Sequence, residues 1–389
     1  MRVVSSFRRI AGLVLYNIAA TLVLLLVLEG TASVYYAFRE AFVSPPVAES
    51  LYTAYDRDLG WVNLPNVYLP NMYGPGKYLR TNSQRFRNNA DFAQQVPPGK
   101  TRIICSGNSH TMGYGVDNEH TWPQLLAARA QNIETVNMGQ GGYGADQIYL
   151  WYKRDGAVLE HDIQILVLMS TDFPRMERSS FVGYGKPMLA VENDRLVTTN
   201  VPVPRLMGAR STRLERVADA LSSLNITHLL QRLLKLDTPA TVTASQEQRN
   251  LEISRILSYI LDDLLATNRA KNSVLVLAYF PTREEYAGDS GAFWRKFLAA
   301  YAQQHGLLYL DFSDDFHRLP PEELDKFFIG KRMIGFPAAP GHYSEAGNAF
   351  VADLIYRRLL ANPETSARLH SQPSGAPPSR SDAGNKPGS

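Results

Sequence analysis

One cysteine, Cys105, among 389 residues leaves no partner for an internal disulfide, and its place inside an apolar run reads as a small core residue. No block of like charge stands out. The 40 Lys and Arg against 37 Asp and Glu leave a net charge of +3, which disfavours nucleic acid as a partner. No group of His, Cys, Asp and Glu has metal-ligand spacing, and the glycine pairs match no phosphate-cradling loop. No metal or other cofactor is therefore expected, and no internal repeat is visible. What is present is an ordinary globular composition, 45% hydrophobic and 20% charged. The chain is long for one domain and short for three, so one large domain with appendages is expected.

The two ends depart from that composition. Residues 10–28 are almost wholly apolar, with Asn17 and Thr21 the main interruptions. At about 1.5 Å per residue the run is long enough to cross roughly 30 Å of hydrocarbon. Arg2, Arg8 and Arg9 precede it, so a retained anchor would hold the N-terminus in the cytoplasm and the main domain outside. A cleavable signal peptide is the competing reading, with Gly30-Thr31-Ala32 as its cleavage site. The last residues, from about Ser371, are rich in Pro, Ser and Gly without apolar periodicity. Such a segment buries too little surface to offset its ordering. The expected organisation is 1–36 cytoplasmic N-terminus and anchor, 37–100 a lead-in that wraps the domain, 101–361 the main domain, and 362–389 a disordered tail.

Within the main domain, short β-type runs at 102–105, 133–137, 163–169, 273–280 and 307–311 alternate with helical patterns at 121–130, 145–152, 248–268, 292–304 and 345–360. Alternating strand and helix predicts a parallel sheet covered on both faces, an α/β fold built as a three-layer α/β/α sandwich of about five strands. Residues 173–245 interrupt the rhythm as an insertion. They carry a hairpin signal, 187–191 with 196–199, turning at Glu192-Asn193-Asp194. Lying after the third strand's C-terminal end, the insertion is either a wall of the site or a peripheral decoration.

Ser109 ends the run Ile103-Ile104-Cys105-Ser106-Gly107-Asn108-Ser109. A hydroxyl at the C-terminal end of a parallel strand sits where open α/β sheets bind ligands. It needs a base and an oxyanion site to act as a nucleophile. A candidate base stands far downstream as His342, in Gly341-His342-Tyr343-Ser344.

Over about 59–360 the chain resembles the SGNH (GDSL-type) hydrolase superfamily, in particular its membrane-anchored bacterial envelope members, whose sheet is flavodoxin-like. Gly107-Asn108-Ser109-His110-Thr111 with Thr121-Trp122-Pro123 is similar to the first block of that family. Asn137-Met138-Gly139 with Gly142-Tyr143-Gly144 matches the second, Thr171-Asp172-Phe173 the third and Gly341-His342 the last. Leu59-Gly60-Trp61 and Asn82-Ser83-Gln84-Arg85-Phe86-Arg87 resemble the lead-in, with Arg85 where glycine is usual. The resemblance implies Ser109 as nucleophile, His342 as base, and the Ser109 amide, Gly139 and Thr171 as oxyanion donors.

The blocks are degenerate in three places. Asn108 replaces an aspartate and Thr171 an asparagine. Ala339 stands where the acid before the histidine is usual, and Pro340 occupies the alternative offset. Asp172, Asp311, Asp314, Asp315 or a backbone carbonyl remain as orienting groups. Asn108, Asp172 and His110 are read as orienting or pocket residues, and Tyr68, Tyr73 and Tyr78 as packing or as sugar-stacking rings. Two functions stay open. One is an extracytoplasmic ester hydrolase or O-acetyl esterase or transferase, held at the inner membrane and acting on an acylated envelope or exported polysaccharide. The other is a catalytically silent binding or scaffolding protein working with envelope-assembly partners.

Overall fold

The computed structural model describes residues 51–370 apart from 182, 205–238, 287 and 332, together with parts of 12–34. Five strands form its central sheet: β1 (Thr101–Gly107), β2 (Ile133–Gly139), β3 (Ile163–Leu168), β4 (Val274–Tyr279) and β5 (Leu308–Asp311). All four pairings are parallel, in the order β2-β1-β3-β4-β5. The helices that matter here are α1 (Ser109–Met112), α2 (Trp122–Ala127), α3 (Ala145–Trp151), α4 (Pro239–Ala270), α5 (Ala292–His305), α6 (Glu345–Ala361) and α7 (Pro363–His370). Each expected strand and helix is present, displaced at its ends by a few residues or, for α4, extended at its start.

The pleat explains the layers. Successive side chains of a strand point to opposite faces. Ile104, Leu166, Leu275 and Leu277 join one apolar cluster with Ile148 and Trp151 of α3, Leu257, Leu261 and Leu264 of α4, and Trp294 and Leu298 of α5. Their neighbours Ile103, Cys105, Ile165, Val167 and Val276 join a second cluster with Trp122 and Leu126 of α2 and Val351, Ile355 and Leu359 of α6. Both faces of the sheet are covered, so its strands read as continuous apolar runs. Cys105 is free and buried, as its sequence context implied.

Within the lead-in, residues 51–100 are described and pack on the domain. Thr53–Asp56 pairs with Gly60–Asn63 as a hairpin, and Trp61 inserts into the first cluster while its indole Nε1–H donates to the Gly141 carbonyl at 2.9 Å. Arg85 has φ 72°, in the left-handed region that glycine occupies without steric penalty. In the insertion, Met188–Glu192 pairs with Arg195–Thr199. Asn193 and Asp194 take φ 49° and 56° at the turn, a hairpin connection suited to these residue types.

One boundary moves. Residues 363–370, assigned to the disordered tail by composition, form α7. Its Leu369 is buried in the second cluster, and the Thr365 hydroxyl donates to the Leu359 carbonyl. The rest of the tail, 371–389, lies outside the described residues. The anchor expected in 1–36 lies partly outside them as well. Residues 12–24 are helical with Leu13, Leu15, Ile18, Leu22 and Val23 exposed. Among the described residues no helix is long and apolar enough to cross a membrane.

Candidate active site

The strand order reverses direction between β1 and β3, and a crevice opens there at the C-terminal ends of the strands. Ser109 follows β1, the Gln140–Gly144 turn follows β2, and Asp172 and Arg175 follow β3. His342 arrives from the loop before α6. That loop is pinned by hydrogen bonds from Ile329 N to His342 O and from Gly341 N to Ile329 O, both 2.8 Å.

The turn carrying Ser109 is held at both ends. Asn108 is the N-cap of α1, its Oδ1 accepting from the His110 amide at 2.9 Å. At the other end Gly113 closes the helix at φ 85°, its N–H donating to Ser109 O. The fully buried guanidinium of Arg87 donates to the carbonyls of Met112, Gly113 and Val116, and its Nε to Asn118 Oδ1 at 3.0 Å. A cation on the carbonyl end of a short helix favours both the dipole and the unpaired acceptors.

Ser109 and His342, 233 positions apart, meet: Oγ lies 2.7 Å from Nε2. The other ring nitrogen, Nδ1, lies 3.2 Å from the Ala339 carbonyl oxygen. A carbonyl only accepts, so the hydrogen sits on Nδ1 and Nε2 of the neutral ring accepts the Ser109 hydroxyl hydrogen. This is the tautomer a general base requires. A backbone carbonyl thus takes the orienting position that an aspartate would fill, and it supplies no full negative charge to an imidazolium. Burial holds the His342 imidazole down to about 4, with Arg175 adding to the effect and the Ala339 and Pro340 backbone opposing it.

None of the candidate acids reaches His342. Asp172 is buried, accepting from Asn108 Nδ2 at 2.7 Å, from the Met169 amide at 2.9 Å and from Arg175 Nη1 at 3.0 Å. Burial raises its carboxyl to about 6 against the pull of Arg175. This arrangement also accounts for Asn108: its amide donates to Asp172, whereas an aspartate there would set two carboxylates against each other. Asp311 Oδ1 caps Ser313 at 2.9 Å, and Asp315 pairs with Arg358. Asp314 stands in the first turn of the short helix Ser313–His317.

His110 stacks on His342, ring centroids 4.4 Å apart and planes inclined by 27°, with Tyr343 edge-on at 5.0 Å. Both its ring nitrogens are buried without a hydrogen-bond partner in good geometry. Burial, and then the proximity of His342, hold it well below the usual imidazole range. It packs against the His342 ring.

Two expected oxyanion donors sit elsewhere. The Gly139 N–H donates to Asn137 Oδ1 at 3.0 Å. What its position needs is the missing side chain, since a Cβ there would lie 1.9 Å from the Met112 nitrogen of α1. Thr171 is exposed and does not line the cavity beside Ser109. That cavity, of about 220 Å³, is walled instead by Gly141, Gly142, Arg175 and a set of aromatic rings, with Ser109 and His342 at its base. The N–H groups of Gly141 and Gly142 have no acceptor among the described residues, and neither does that of Ser109. Gly142 has φ 78°, and a Cβ on it would meet the Phe181 ring at 2.8 Å. Phe181 and Tyr184 come from the insertion, which therefore does form a wall of the site.

The sequence assigned no site role to Arg175, Gly141, Gly142, Tyr114 or Phe336. The glycine cluster after β2 was a visible signal, but which glycine faced the cavity was not. Of the tyrosines weighed for sugar contact, Tyr73 is buried against Phe336, while Tyr68 and Tyr78 pack on each other at 5.6 Å. Among the described residues no group of three His, Cys, Asp or Glu is placed to hold a metal ion.

No protein-family model matches the chain, and no curated protein matches it. Among solved structures, a member of the lipolytic protein G-D-S-L family from Veillonella parvula is similar at 13% identity over 67% of this chain and 97% of its own, with a TM-score of 0.36. The lipase/acylhydrolase from Enterococcus faecalis is similar at 14% identity over 71% and 100%, TM-score 0.36. An acetyl xylan esterase shares 14% identity over 66% and 98%, TM-score 0.38.

Proposed function

We propose that the protein is a serine acyl hydrolase of the SGNH type, cleaving an ester or transferring its acyl group. The observation that carries this is the Ser109 Oγ–His342 Nε2 contact of 2.7 Å, in the tautomer set by the Ala339 carbonyl, at the base of a cavity. Ser109 Oγ attacks the ester carbonyl as His342 Nε2 takes its proton. The tetrahedral oxyanion is received by the Ser109 amide with the N–H groups of Gly141 and Gly142. Collapse breaks the bond to the alcohol oxygen, which leaves with the proton from Nε2. Water, or an acceptor hydroxyl, then attacks the acyl-serine by the same route in reverse.

The apolar run at 10–28 and the arginines before it support placing this domain outside the inner membrane on a single anchor. An anchored domain works close to the membrane surface, and an acylated envelope or exported polysaccharide is the substrate this favours. One observation favours the silent binding reading. An imidazole held to about 4 with no carboxylate behind it is a weak base.

The test is labelling of the full chain by a fluorophosphonate probe, with p-nitrophenyl acetate hydrolysis alongside. The expected result is stoichiometric labelling lost in Ser109→Ala and strongly slowed in His342→Ala. A folded protein that takes no label at high probe concentration would sink the hydrolase reading and favour the binding one.

A further inference from the structure

Among the described residues that line the cavity beside Ser109, Arg175 is the single charged side chain, set among the rings of Trp61, Tyr114, Phe181 and Phe336. Its guanidinium is fixed from one end. Nη1 donates to the Tyr143 carbonyl and to Asp172 Oδ1, both at 3.0 Å, and the guanidinium carbon lies 5.0 Å from the Phe181 ring centroid. Nε and Nη2 donate to nothing among the described residues. These two nitrogens form one edge of the planar fork, the edge that binds both oxygens of a carboxylate at once.

Asp172 does not occupy the whole guanidinium. It engages Nη1 and leaves the Nε–Nη2 edge unpaired, and Arg175 still disfavours protonation of His342 and His110. A cation that opposes its neighbouring base is a liability to hydrolysis of a neutral ester. An anion on the free edge would remove that opposition.

We propose that the site takes an ester bearing a carboxylate, with the carboxylate on the Nε–Nη2 edge of Arg175 and the ester carbonyl at Ser109. This rests on the acyl-hydrolase reading above for the position of the ester, but the anion site stands on Arg175 itself. The carboxylate belongs to either the acyl or the alcohol part of the ester, and the experiment separates the two.

The full chain carrying Ser109→Ala is titrated calorimetrically with monomethyl adipate and its neutral counterpart dimethyl adipate. The same is done with 6-acetoxyhexanoate and methyl 6-acetoxyhexanoate. The charged member of at least one pair should bind roughly tenfold more tightly or better, as expected for a charge-assisted pair in an apolar site. The pair that discriminates identifies the side carrying the carboxylate. Discrimination should vanish in Arg175→Gln. It should fall without vanishing in Arg175→Lys, which keeps a cation beside buried Asp172 and so protects the fold. Equal binding of charged and neutral members in both pairs overturns the proposal, as does a preference unchanged by Arg175→Gln or, should that variant not fold, by Arg175→Lys. Because this binding needs no turnover, wild-type protein that prefers carboxylates but takes no fluorophosphonate sinks the hydrolase reading alone. Labelling without any preference sinks the anion site alone.

Discussion

An imidazole buried without a carboxylate should titrate far from its usual range, and that displacement is measurable through Ser109. His342 is held to about 4, chiefly by burial. An imidazole at the reference value near 6.5 is about 10% neutral at pH 5.5, whereas one at about 4 is ~97% neutral there. The assay is the second-order rate of fluorophosphonate labelling between pH 4 and 8.5 at constant ionic strength, with circular dichroism in each buffer to confirm folding. Reactivity should stay flat from pH 8 down to about 5 and reach half its plateau near pH 4. At pH 5.5 the two alternatives differ about tenfold, well beyond assay error. A half-maximal rate at pH 6.5 or above would refute the reasoning, since it would mean that a carboxylate reaches Nδ1 or that water solvates the ring. The same burial shapes stability. His342 stays neutral in the fold at pH values where the unfolded chain protonates it, so the stability it contributes above about pH 6.5 is lost as pH falls toward 4; His110, also held well below the usual imidazole range, acts in the same sense. Asp172, raised to about 6, acts in the opposite sense: its contribution is present below its unfolded value near 3.8 and is lost as pH rises through 6.

Three substitutions test the surrounding geometry. Gly139→Ala drives a methyl into the α1 backbone, which should cost about 1–3 kcal/mol or more in denaturant unfolding and displace Ser109, slowing labelling at least in proportion; wild-type stability would refute the close approach. Asn108→Asp replaces a donor to Asp172 with a second carboxylate, so its loss in melting temperature relative to wild type should be larger at pH 8 than at pH 5, and a pH-independent difference would contradict the pairing. Thr171→Ala alters an exposed side chain outside the cavity and should change stability by less than about 0.5 kcal/mol and labelling by less than about twofold; a loss of roughly a hundredfold would restore Thr171 as an oxyanion donor.

The five strands were legible because both faces of the sheet are buried. Runs such as Ile163-Gln164-Ile165-Leu166-Val167-Leu168 have no solvent face on which polar residues would break the pattern. The hairpin turn at Asn193-Asp194 was legible because positive φ favours those residue types. Helix α7 was not. Its sequence is polar, and it is held by the burial of Leu369 and by the Thr365 hydroxyl on the last turn of α6, contacts that local composition does not encode.

Sequence by itself determined the alternation of strand and helix, and with it a parallel sheet whose C-terminal edge gathers Ser109, the glycine turn and the residues after β3. Order along the chain is enough for that, because a right-handed crossover returns every strand in the same direction. Which groups face the cavity was decided only by tertiary structure. Gly139 went to helix packing and Gly141 and Gly142 to the cavity wall. Thr171 turned outward while Arg175, a short turn later, came in, and a peptide carbonyl took the aspartate's place behind His342. Those outcomes depend on distances of a few ångströms between segments far apart in the chain, where side-chain direction and backbone approach, not residue type, determine what touches what.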